Sequence, residues 1–277
     1  MTGKSILITG CSSGIGHHIA HALHGRGWQV LATCRKAEDV ARLQEEGLAC
    51  HLLDLTDAAS IRAGFDWAME QTGGRLGALY NNGAFGMAGA IEDTSTDGFR
   101  SIFETNFFGW HELTRHVIPV MRQQGAGRIV QCSSVLGFAA LKMRGPYVST
   151  KYALEGYTDV LRLELRGTGI DVILLEPGPI DTAFRINARP HYEAHVEKEH
   201  SAWADFYKKR AEPRLYAETL PPDRWELTCE ATTAKLIHAL ESPRPNARYF
   251  VTRPTYILAW ARRLLPTRAL DWVLAKA

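Results

Sequence analysis

The sequence has little cysteine, no excess of charge of either sign and no long apolar run. Its five cysteines are scattered and odd in number. Because none forms a C-x-x-C pair, we expect neither a disulfide framework nor a zinc site, but a reducing compartment, the cytoplasm. Lys and Arg total 32 against 30 Asp and Glu, without a basic block. The charge balance therefore gives no indication of nucleic-acid binding.

Membrane insertion is not indicated either. No stretch reaches the roughly 18 uninterrupted apolar residues of a membrane-spanning helix, because Arg262 and Arg263 interrupt the apolar C-terminal segment. The chain enters its first apolar run without a signal-peptide pattern before it. The C-terminal extension, residues 252–277, mixes Trp and Leu with Arg and with Lys276. Its composition leaves open peripheral contact with a membrane surface, a cover over a substrate pocket, or packing on a partner subunit.

Short apolar runs alternate with longer segments of helical periodicity along the chain. Strands are predicted at residues 5–9, 29–33, 49–53, 78–81, 127–133, 171–176 and 248–251. Helices are predicted at residues 15–25, 37–46, 58–71, 99–123, 147–166 and 228–240. This alternation is typical of βαβ units that build a parallel sheet. We therefore expect one α/β domain over residues 1–277, with a doubly wound sheet of about seven strands and helices on both faces.

One segment, residues 183–224, departs from this alternation. It follows the sixth predicted strand and combines prolines with aromatic and charged side chains. Long insertions at strand ends are often functional loops, so we interpret this one as a mobile cover over a site rather than a separate domain. Its histidines, His191, His195 and His200, alternate with charged residues and are predicted to lie on a solvated helix. No metal site is expected there.

A glycine-rich sequence, T-G-C-S-S-G-I-G, occupies residues 9–16 between the first predicted strand and the first helix. Glycine lets a backbone approach a phosphate closely, and the following helix offers unpaired N–H groups and a positive dipole end. The pattern predicts a loop for the pyrophosphate of a dinucleotide, although a structural turn would look similar. The residues expected to bind the nucleotide here are Gly10, Ser12, Ser13, Gly14, Ile15 and Gly16.

The end of the second predicted strand indicates which dinucleotide binds. An acidic residue here would bind the ribose hydroxyls of NAD(H), whereas this sequence has Arg35 and Lys36. The guanidinium of Arg35 suits a 2′-phosphate, which favours NADP(H); the alternative is that both residues only keep a surface turn soluble. After the third strand, Asp54 and Leu55 are predicted to contact the adenine. Asp54 could equally cap the next helix.

Four residues form the predicted reactive group. Tyr147 and Lys151 are spaced i, i+4, so they share one helix face. The lysine ammonium is expected to lower the tyrosine pKa from its usual value of about 10, toward use as an acid or base. Ser134 ends the fifth predicted strand, where its hydroxyl could hold a substrate oxygen. Asn106 lies within a predicted helix, which is unfavourable for asparagine unless its amide has a partner.

The order of these motifs resembles the short-chain dehydrogenase/reductase family over residues 4–182. The sequence also has N-N-G-A at residues 81–84, where the family has N-N-A-G, and P-G-P-I-D-T at residues 177–182. Both small residues of the first motif are present, with their order exchanged. The resemblance implies a Rossmann-type fold and an NADP(H)-dependent oxidoreductase that moves a hydride between nicotinamide and a carbonyl or alcohol carbon.

The resemblance also implies a role for each member of the reactive group. The Tyr147 position is the acid/base, Ser134 polarises the substrate oxygen, and Asn106 holds a water that relays protons. Lys151 binds the nicotinamide ribose and lowers the tyrosine pKa, and the Arg35 position marks members that prefer NADP. Family members commonly assemble through the helices that carry these residues, so a homodimer or homotetramer is expected. Further cofactor contacts are implied for Asn82, Gly83, Ala84, Pro177, Gly178, Ile180 and Thr182.

The substrate is expected to be a small apolar carbonyl or alcohol compound. A-T-x-R at residues 32–35 and S-K-Y-A-L-E-G after Tyr147 look like the branch that contains retinol and 17β-hydroxysteroid dehydrogenases and bacterial aldehyde reductases. Apolar side chains are predicted to line the mouth of the site, although any one of them could pack in the core. They are Phe85, Met87, Phe138, Leu141, Met143 and Phe184. An aldehyde, a retinoid or a ketosteroid would fit this prediction.

Two other functions remain open. A sensor or scaffold could bind NADP(H) without turnover, but such a protein would be expected to lack part of the reactive group, which is complete here. A 3-ketoacyl-carrier reductase would present basic residues to an acidic carrier protein. Arg185, Arg189 and Lys142 keep this second alternative open.

Overall fold

The computed structural model of the protein describes residues 3–275. Its strands are β1 (Ser5–Ile8), β2 (Gln29–Cys34), β3 (Ala49–Leu52), β4 (Ala78–Asn81), β5 (Gly127–Cys132), β6 (Ile170–Glu176) and β7 (Arg248–Phe250). They form one seven-stranded sheet in the order β3-β2-β1-β4-β5-β6-β7, and every neighbouring pair is parallel. The predicted doubly wound parallel sheet is confirmed.

Helices cover both faces of this sheet. Those before β6 are α1 (Gly14–His24), α2 (Ala37–Glu45), α3 (Ala58–Gln71), α4 (Thr96–Phe103), α5 (Gly109–Gln124) and α6 (Gly145–Glu164). Those after β6 are α7 (Phe184–Asn187), α8 (Arg189–His195), α9 (Ala204–Phe206), α10 (Glu212–Tyr216), α11 (Cys229–Glu241), α12 (Arg253–Leu264) and α13 (Thr267–Leu274). Helix α1 packs against α11, and α3 packs against α5.

The central strands lie in the core, and their loops form a cleft at one edge of the sheet. Every residue of β1, β4 and β5 is buried, which explains their near-continuous apolar runs. The strand order reverses between β1 and β4. The loops after these two strands therefore diverge and leave a crevice at their carboxyl ends. Of the predicted nucleotide-binding residues, Gly10, Ser12, Ser13 and residues 82–84 lie in these two loops, and residues 14–16 begin α1.

The helix predicted at residues 99–123 is wrong as a single α-helix. The structure begins it earlier, at Thr96, and divides it into α4 and α5 by a π-helical segment, Glu104–Phe108. Asn106 lies in this segment, and its side chain bonds to the backbone of Phe85 in the loop after β4. Single-turn π-helical segments inside α-helices are frequent at functional sites. The other predicted elements agree with the structure to within one or two residues at each end.

The insertion, residues 183–224, is folded and anchored to the chain after β4. It contains α7 to α10 and a π-helical segment, Tyr207–Ala211. The Tyr207 hydroxyl donates to Asp93 at 2.6 Å and accepts the N–H of Ala90 at 2.8 Å. The insertion also has its own buried apolar cluster, Ala188, Tyr192, Val196, Tyr207 and Leu215. Its mobility remains a prediction.

The C-terminal extension consists of α12 and α13. On α12, Ile257, Trp260 and Leu264 are 61%, 59% and 73% exposed, so one stripe of this helix is apolar and faces outward. Across residues 3–275, every helix is too short or too polar to cross a membrane. Lys276, which contributes to the tail composition, lies outside the described residues.

Gly109 lets α5 approach the loop after β3. A Cβ atom at Gly109 would lie 2.1 Å from the carbonyl oxygen of Leu55, so one of the two backbones would have to move. We predict that Gly109→Ala lowers the free energy of unfolding by about 1 to 3 kcal/mol in urea denaturation, despite the better helix propensity of alanine.

Gly156→Ala on α6 is the matched control for this variant. A Cβ atom at Gly156 meets no described atom within 4 Å. Alanine should therefore stabilise the protein by about 0.5 to 1 kcal/mol through helix propensity alone. Equal effects of the two substitutions would contradict the close approach at Gly109.

Candidate active site

Tyr147 and Lys151 lie one turn apart on α6 and face the same buried space, as their spacing predicts. The Lys151 Nζ atom lies 5.6 Å from the centroid of the Tyr147 ring. It donates to the carbonyl of Cys132 at 2.7 Å and lies 4.4 Å from the Trp110 ring centroid. Trp110 in turn donates from Nε1 to the carbonyl of Gly83 at 2.8 Å. The lysine is therefore held by β5 and α5 as well as by its own helix.

Burial shifts the proton affinities of this pair. It raises the pKa of Tyr147 well above the usual value of about 10, and a hydrogen bond with Ser134 acts in the opposite direction. Burial also lowers the pKa of Lys151 to about 8. The expectation of a lowered tyrosine pKa is therefore wrong for these surroundings, because desolvation of the phenolate dominates. At neutral pH the phenol is protonated, the form that can donate a proton.

Ser134 follows β5 and begins a short 3-10 turn, Val135–Gly137. Its Oγ accepts the N–H of Leu136 at 3.1 Å. The hydroxyl of the preceding residue, Ser133, donates to the carboxylate of Glu155, which lies on α6 one turn beyond Lys151. The turn that carries Ser134 is therefore fixed by its own backbone and by the helix that carries the tyrosine and lysine.

Glu155 belongs to a partly buried cluster of charged side chains behind this turn, in which Glu155 and Glu176 are buried and Asp159 is about half exposed. Arg248 at the start of β7 bonds to Glu155, to Glu176 at 2.7 Å and to Asp159 at 2.9 and 2.8 Å. Burial and the neighbouring Glu155 raise the pKa of Glu176 to about 8. The raised pKa favours the protonated form of Glu176. The cluster holds β6, β7 and α6 together beside the reactive group.

Asn106 is fully buried and its amide is engaged at both ends. Oδ1 accepts the N–H of Phe85 at 3.1 Å, and Nδ2 donates to the carbonyl of Phe85 at 2.9 Å. Nδ2 also lies 3.4 Å from the hydroxyl of Thr150, the residue before Lys151. The prediction that this asparagine needs a partner is met by backbone, and the residue links the loop after β4 to α6.

The glycine loop after β1 touches the loop after β4. Asn82 Nδ2 donates to the carbonyls of Thr9 and Gly10 at 3.0 and 3.1 Å. The Thr9 hydroxyl accepts the N–H groups of Asn82 and Gly83. A Cβ atom at Gly10 would lie 2.4 Å from Gly83 Cα. The exchanged order in N-N-G-A therefore places a glycine where the two loops meet, with Ala84 one residue further along.

The start of α1 has the features of a phosphate site. A Cβ atom at Gly16 would lie 2.2 Å from the carbonyl oxygen of Gly10. A Cβ atom at Gly14 would lie 3.2 Å from the Cβ atom of Thr182. Ser13 is the N-cap, and its side chain makes no capping hydrogen bond with the described residues. Side chains at Gly14 and Gly16 would fill the space in front of the first N–H groups of α1. We call this space the glycine cradle. This arrangement fits a pyrophosphate.

The two residues predicted on the adenosine side lie where the sequence places them. Arg35 is exposed at the end of β2. Asp54 Oδ1 accepts the N–H and the hydroxyl of Thr56 at 2.9 and 2.8 Å. The N-cap of α3 is Asp57, which accepts the N–H of Ala59. The capping role therefore belongs to Asp57, and the adenine contact of Asp54 remains a prediction.

Three other residues of the nucleotide prediction contact protein groups. The carbonyl of Ser12 accepts Arg42 Nη2 at 2.6 Å. Ile15 packs against the main core, and Leu55 is buried beneath Gly109. These contacts fix Ser12 in the loop before α1, Ile15 in the first turn of α1, and Leu55 in the loop after β3. Contact of these three residues with a nucleotide remains a prediction.

Residues 177–182 bring the end of β6 to the same cleft. The carbonyl of Pro177 accepts the N–H of Val135 at 2.8 Å, which joins this segment to the Ser134 turn. Gly178 lies against Thr252, and Ile180 pairs with Leu227 in an isolated bridge. Thr182 then lies over Gly14. The segment therefore connects the reactive group to the glycine loop.

Part of the predicted substrate surface surrounds the tyrosine. Phe85, Met87 and Tyr147 share one buried apolar cluster with Ile102. The Phe184 ring packs edge-on to the Tyr147 ring, with 5.4 Å between centroids. Three of the six predicted apolar residues are thus assembled at the reactive group.

The other three predicted substrate residues lie on the loop between β5 and α6. Phe138 packs on Phe250 of β7, with 5.8 Å between centroids, and lies outside the tyrosine cluster. Met143 has a positive φ of 58°, and its carbonyl accepts the N–H of Gly89. Leu141 is half-buried in the same loop. Substrate contact by these three remains a prediction.

The insertion covers the site with a histidine. The His191 ring stacks on Phe85, with 3.5 Å between centroids and 10° between planes. Burial, followed by the positive charges of Arg35 and His195, lowers the pKa of His191 to about 4. The prediction that these histidines lie on a solvated helix is wrong for His191, because its ring is the covering layer over Phe85. His200 is exposed.

Comparison with known proteins identifies the family. The model of the short chain dehydrogenase family matches residues 4–193. The chain is 40% identical over 272 residues to Uncharacterized oxidoreductase YbbO of Escherichia coli (strain K12), covering 98% of this chain and 94% of that protein. It is 32% identical over 285 residues to 17-beta-hydroxysteroid dehydrogenase type 6 of Rattus norvegicus, covering 98% and 88%. The chain belongs to the short-chain dehydrogenase/reductase family.

The relatives also support the predicted branch and the fold. The chain is an oxidoreductase of a branch similar to retinol and steroid dehydrogenases. A short-chain dehydrogenase from Streptomyces avermitilis superposes with a TM-score of 0.77 at 28% identity, covering 98% of this chain and 94% of that one. One from Burkholderia cenocepacia in complex with NADP has a TM-score of 0.75 at 22% identity, covering 98% and 97%, and shows the fold alone.

Four residues of the site were not found from the sequence. They are Trp110, Glu155, Glu176 and Arg248. One signal was available, because Glu176 closes an apolar strand run and a buried carboxylate needs a partner. Its partner Arg248 is 72 residues away in the chain, and periodicity carries no information about such a pair.

Glu176 should make stability depend on pH. Its folded pKa of about 8 exceeds the unfolded value of about 4.3, so the folded state binds more protons between these values. The free energy of unfolding should therefore fall as pH rises through this window, by at most about 1.4 kcal/mol per pH unit. Glu176→Gln, which is neutral throughout, should remove this part of the slope in urea denaturation between about pH 5 and 8.

Glu38→Gln is the control, because the side chain of Glu38 is 75% exposed. This variant should keep the pH slope of the natural protein. An unchanged slope in Glu176→Gln would show that Glu176 is not the group that carries the proton.

Proposed function

We propose that the protein is an NADP(H)-dependent oxidoreductase that transfers a hydride between nicotinamide and the carbonyl or alcohol carbon of an apolar substrate. One observation supports this most directly. A buried tyrosine–lysine pair lies at the same edge of the sheet as an open glycine cradle at the start of α1. The family membership of the chain agrees with this arrangement.

The roles of the protein groups follow from their surroundings. The nicotinamide, when bound, supplies or accepts the hydride. In reduction, the Tyr147 phenol donates its proton to the substrate oxygen, and burial keeps this proton in place at neutral pH. Ser134 donates a hydrogen bond to the same oxygen. Lys151, with a pKa of about 8, is an ammonium below that pH and binds ribose hydroxyls.

Asn106 acts through the backbone that it fixes. Its amide forms hydrogen bonds with Phe85 and Thr150. It therefore holds the π-helical segment and the loop after β4, which contains Phe85, in place. The family resemblance implies a water that relays protons. Because the side-chain amide of Asn106 is already bonded, this water would contact the backbone of the π-helical segment instead. Asn106 therefore positions Ser134, Tyr147 and Lys151, the other members of the reactive group.

NADP(H) is the cofactor that the end of β2 favours. Arg35 is exposed there, one residue after the strand, where an acidic side chain would suit NAD(H). Its guanidinium is available for the oxygens of a 2′-phosphate. The Asp54, Asn82, Gly83, Ala84, Pro177, Gly178, Ile180 and Thr182 contacts belong to the same proposal.

The substrate is a small apolar carbonyl or alcohol compound of the aldehyde, retinoid or ketosteroid type. Phe85, Met87 and Phe184 surround Tyr147, and His191 is held neutral over Phe85. Residues 183–224 form the cover of this site within a single domain of residues 1–277. Opening of the cover would admit the substrate, and closure would exclude water.

The acyl-carrier alternative finds less support. Arg185 donates to the carbonyls of residues 214, 215 and 217, and Arg189 donates to those of residues 215 and 217. Both guanidinium groups therefore stabilise the insertion itself. They are poorly placed to bind an acidic carrier.

Partners and compartment complete the proposal. We place the protein in the cytoplasm as a homodimer or homotetramer that forms through the long helices. Exposed apolar side chains on α6, Val160 and Leu163 at 54% and 73%, support this. The apolar stripe of α12 lies beside Arg262 and Arg263, which fits peripheral membrane contact, packing on a partner subunit or a cover over the substrate pocket.

Tyr147→Phe tests the reaction. Carbonyl reduction should be followed by loss of NADPH absorbance with medium-chain aldehydes, retinal and ketosteroids. The variant should lose turnover by about 10²- to 10⁴-fold, because it lacks the proton donor, while NADPH affinity stays within about threefold. Tyr157→Phe is the matched control, since that tyrosine lies on the same helix and bonds to His111 instead.

The outcome separates the enzyme from the sensor. Turnover that survives in Tyr147→Phe would refute the assigned role of the tyrosine. Tight NADPH binding with no turnover of any carbonyl by the natural protein would favour a sensor or scaffold.

Arg35→Ala tests the cofactor preference. If the guanidinium binds the 2′-phosphate, the KM for NADPH should rise by about 10- to 100-fold, the loss expected for a hydrogen-bonded charge. The KM for NADH should stay within about twofold. Arg62→Ala, an exposed arginine paired with Asp66 on α3, is the control. Equal changes with the two cofactors would contradict the assignment.

A further inference from the structure

Two histidines and a glutamate, which are side chains that can bind metal ions, lie together on the outer surface between α1 and the end of α2. His17 and His21 are one helical turn apart, so both imidazoles leave the same face of α1. Glu46, the C-cap residue of α2, faces them. Its Oε2 atom lies 2.8 Å from His17 Nε2 and 2.7 Å from His21 Nε2. The three ligand atoms all lie within 4.8 Å of one another.

We propose that His17, His21 and Glu46 bind a divalent transition metal ion of the Zn²⁺ type. Two imidazole nitrogens and one carboxylate oxygen are a ligand set that zinc uses with water in its fourth position. Ligand atoms around a tetrahedral zinc are separated by about 3.4 Å, given bond lengths near 2.1 Å. Each imidazole nitrogen therefore needs to move away from Glu46 Oε2 by roughly 0.6 to 0.7 Å to admit the ion.

The neighbouring charges orient the carboxylate and leave it available. Arg42 donates to the other oxygen of Glu46, Oε1, at 2.7 Å, which fixes the carboxylate and leaves Oε2 toward the histidines. The charge of Arg42 is itself compensated by Asp39 at 3.0 Å. A glutamate on this outer surface is ionised at neutral pH. One negative charge is thus left for a cation.

The site would clamp two helices that flank the glycine loop. Helix α1 begins at that loop, and Arg42 on α2 donates to the loop carbonyl of Ser12 at 2.6 Å. A bound ion that joins α1 to Glu46 would resist separation of the two helices. Because an ion that binds only the folded protein stabilises it by mass action, Zn²⁺ should raise the thermal unfolding midpoint.

Titration of tag-free, full-length protein with Zn²⁺ against a chelating fluorophore tests the proposal. We expect one site, with a Kd that rises at least tenfold in His21→Ala and in His17→Ala and rises in Glu46→Gln. His24→Ala is the matched control, because His24 is an exposed histidine of the same helix outside the cluster. It should keep the Kd of the natural protein, and only proteins with an intact cluster should gain thermal stability from Zn²⁺.

Two results would overturn the proposal. One is the same Zn²⁺ affinity in the natural protein and in His21→Ala, with circular dichroism confirming that both are folded. The other is an equal loss of affinity in His24→Ala, which would show dispersed binding to surface histidines. Neither measurement depends on carbonyl reduction. A negative result would therefore overturn the metal site and leave the proposed oxidoreductase function untouched.

Discussion

The ammonium group of Lys151 lies in the interior, between the carbonyl of Cys132 and the indole ring of Trp110. A buried charge is costly unless polar partners replace its water, so these partners must stay in place whenever the lysine is charged. Trp110 also donates to Gly83, at the contact between the loops after β1 and β4. One interaction therefore couples the reactive helix, two central strands and the nucleotide cradle.

A second layer, of partly buried acidic side chains around Arg248, supports the turn that carries Ser134. Ser133 bonds to Glu155, and Arg248 joins Glu155 to Glu176 and Asp159. Partial burial of Arg248 and full burial of Glu176 make these contacts dependent on one another. Such a cluster favours a single arrangement of β6, β7 and α6, because removing one partner would leave the others uncompensated. The geometry of the reactive group thus depends on residues that need not touch a substrate.

The insertion adds a layer of aromatic contacts over this rigid base. Its π-helical segment is anchored through Tyr207 to the chain after β4, and Phe184 and His191 pack on Tyr147 and Phe85. The Lys151 and Arg248 contacts beneath are hydrogen bonds, whereas Phe184 and His191 contact Tyr147 and Phe85 through packing between rings. Ring contacts can adapt to ligands of different shape at lower cost than buried charge clusters. Within one family fold, this layer is where substrate choice is expected to reside.

The sequence alone determined the features that depend on local geometry. Alternating periodicity gave the parallel sheet, the glycine spacing gave the cradle, and i, i+4 spacing placed Tyr147 and Lys151 on one face, because a helix fixes the positions of near neighbours. Tertiary structure decided the rest. The π-helical break at Asn106, the partners of Glu176 and the meeting of His17 and His21 with Glu46 join residues far apart in the chain. The direction of the Tyr147 pKa shift was also decided there, since desolvation depends on which elements exclude water from a side chain.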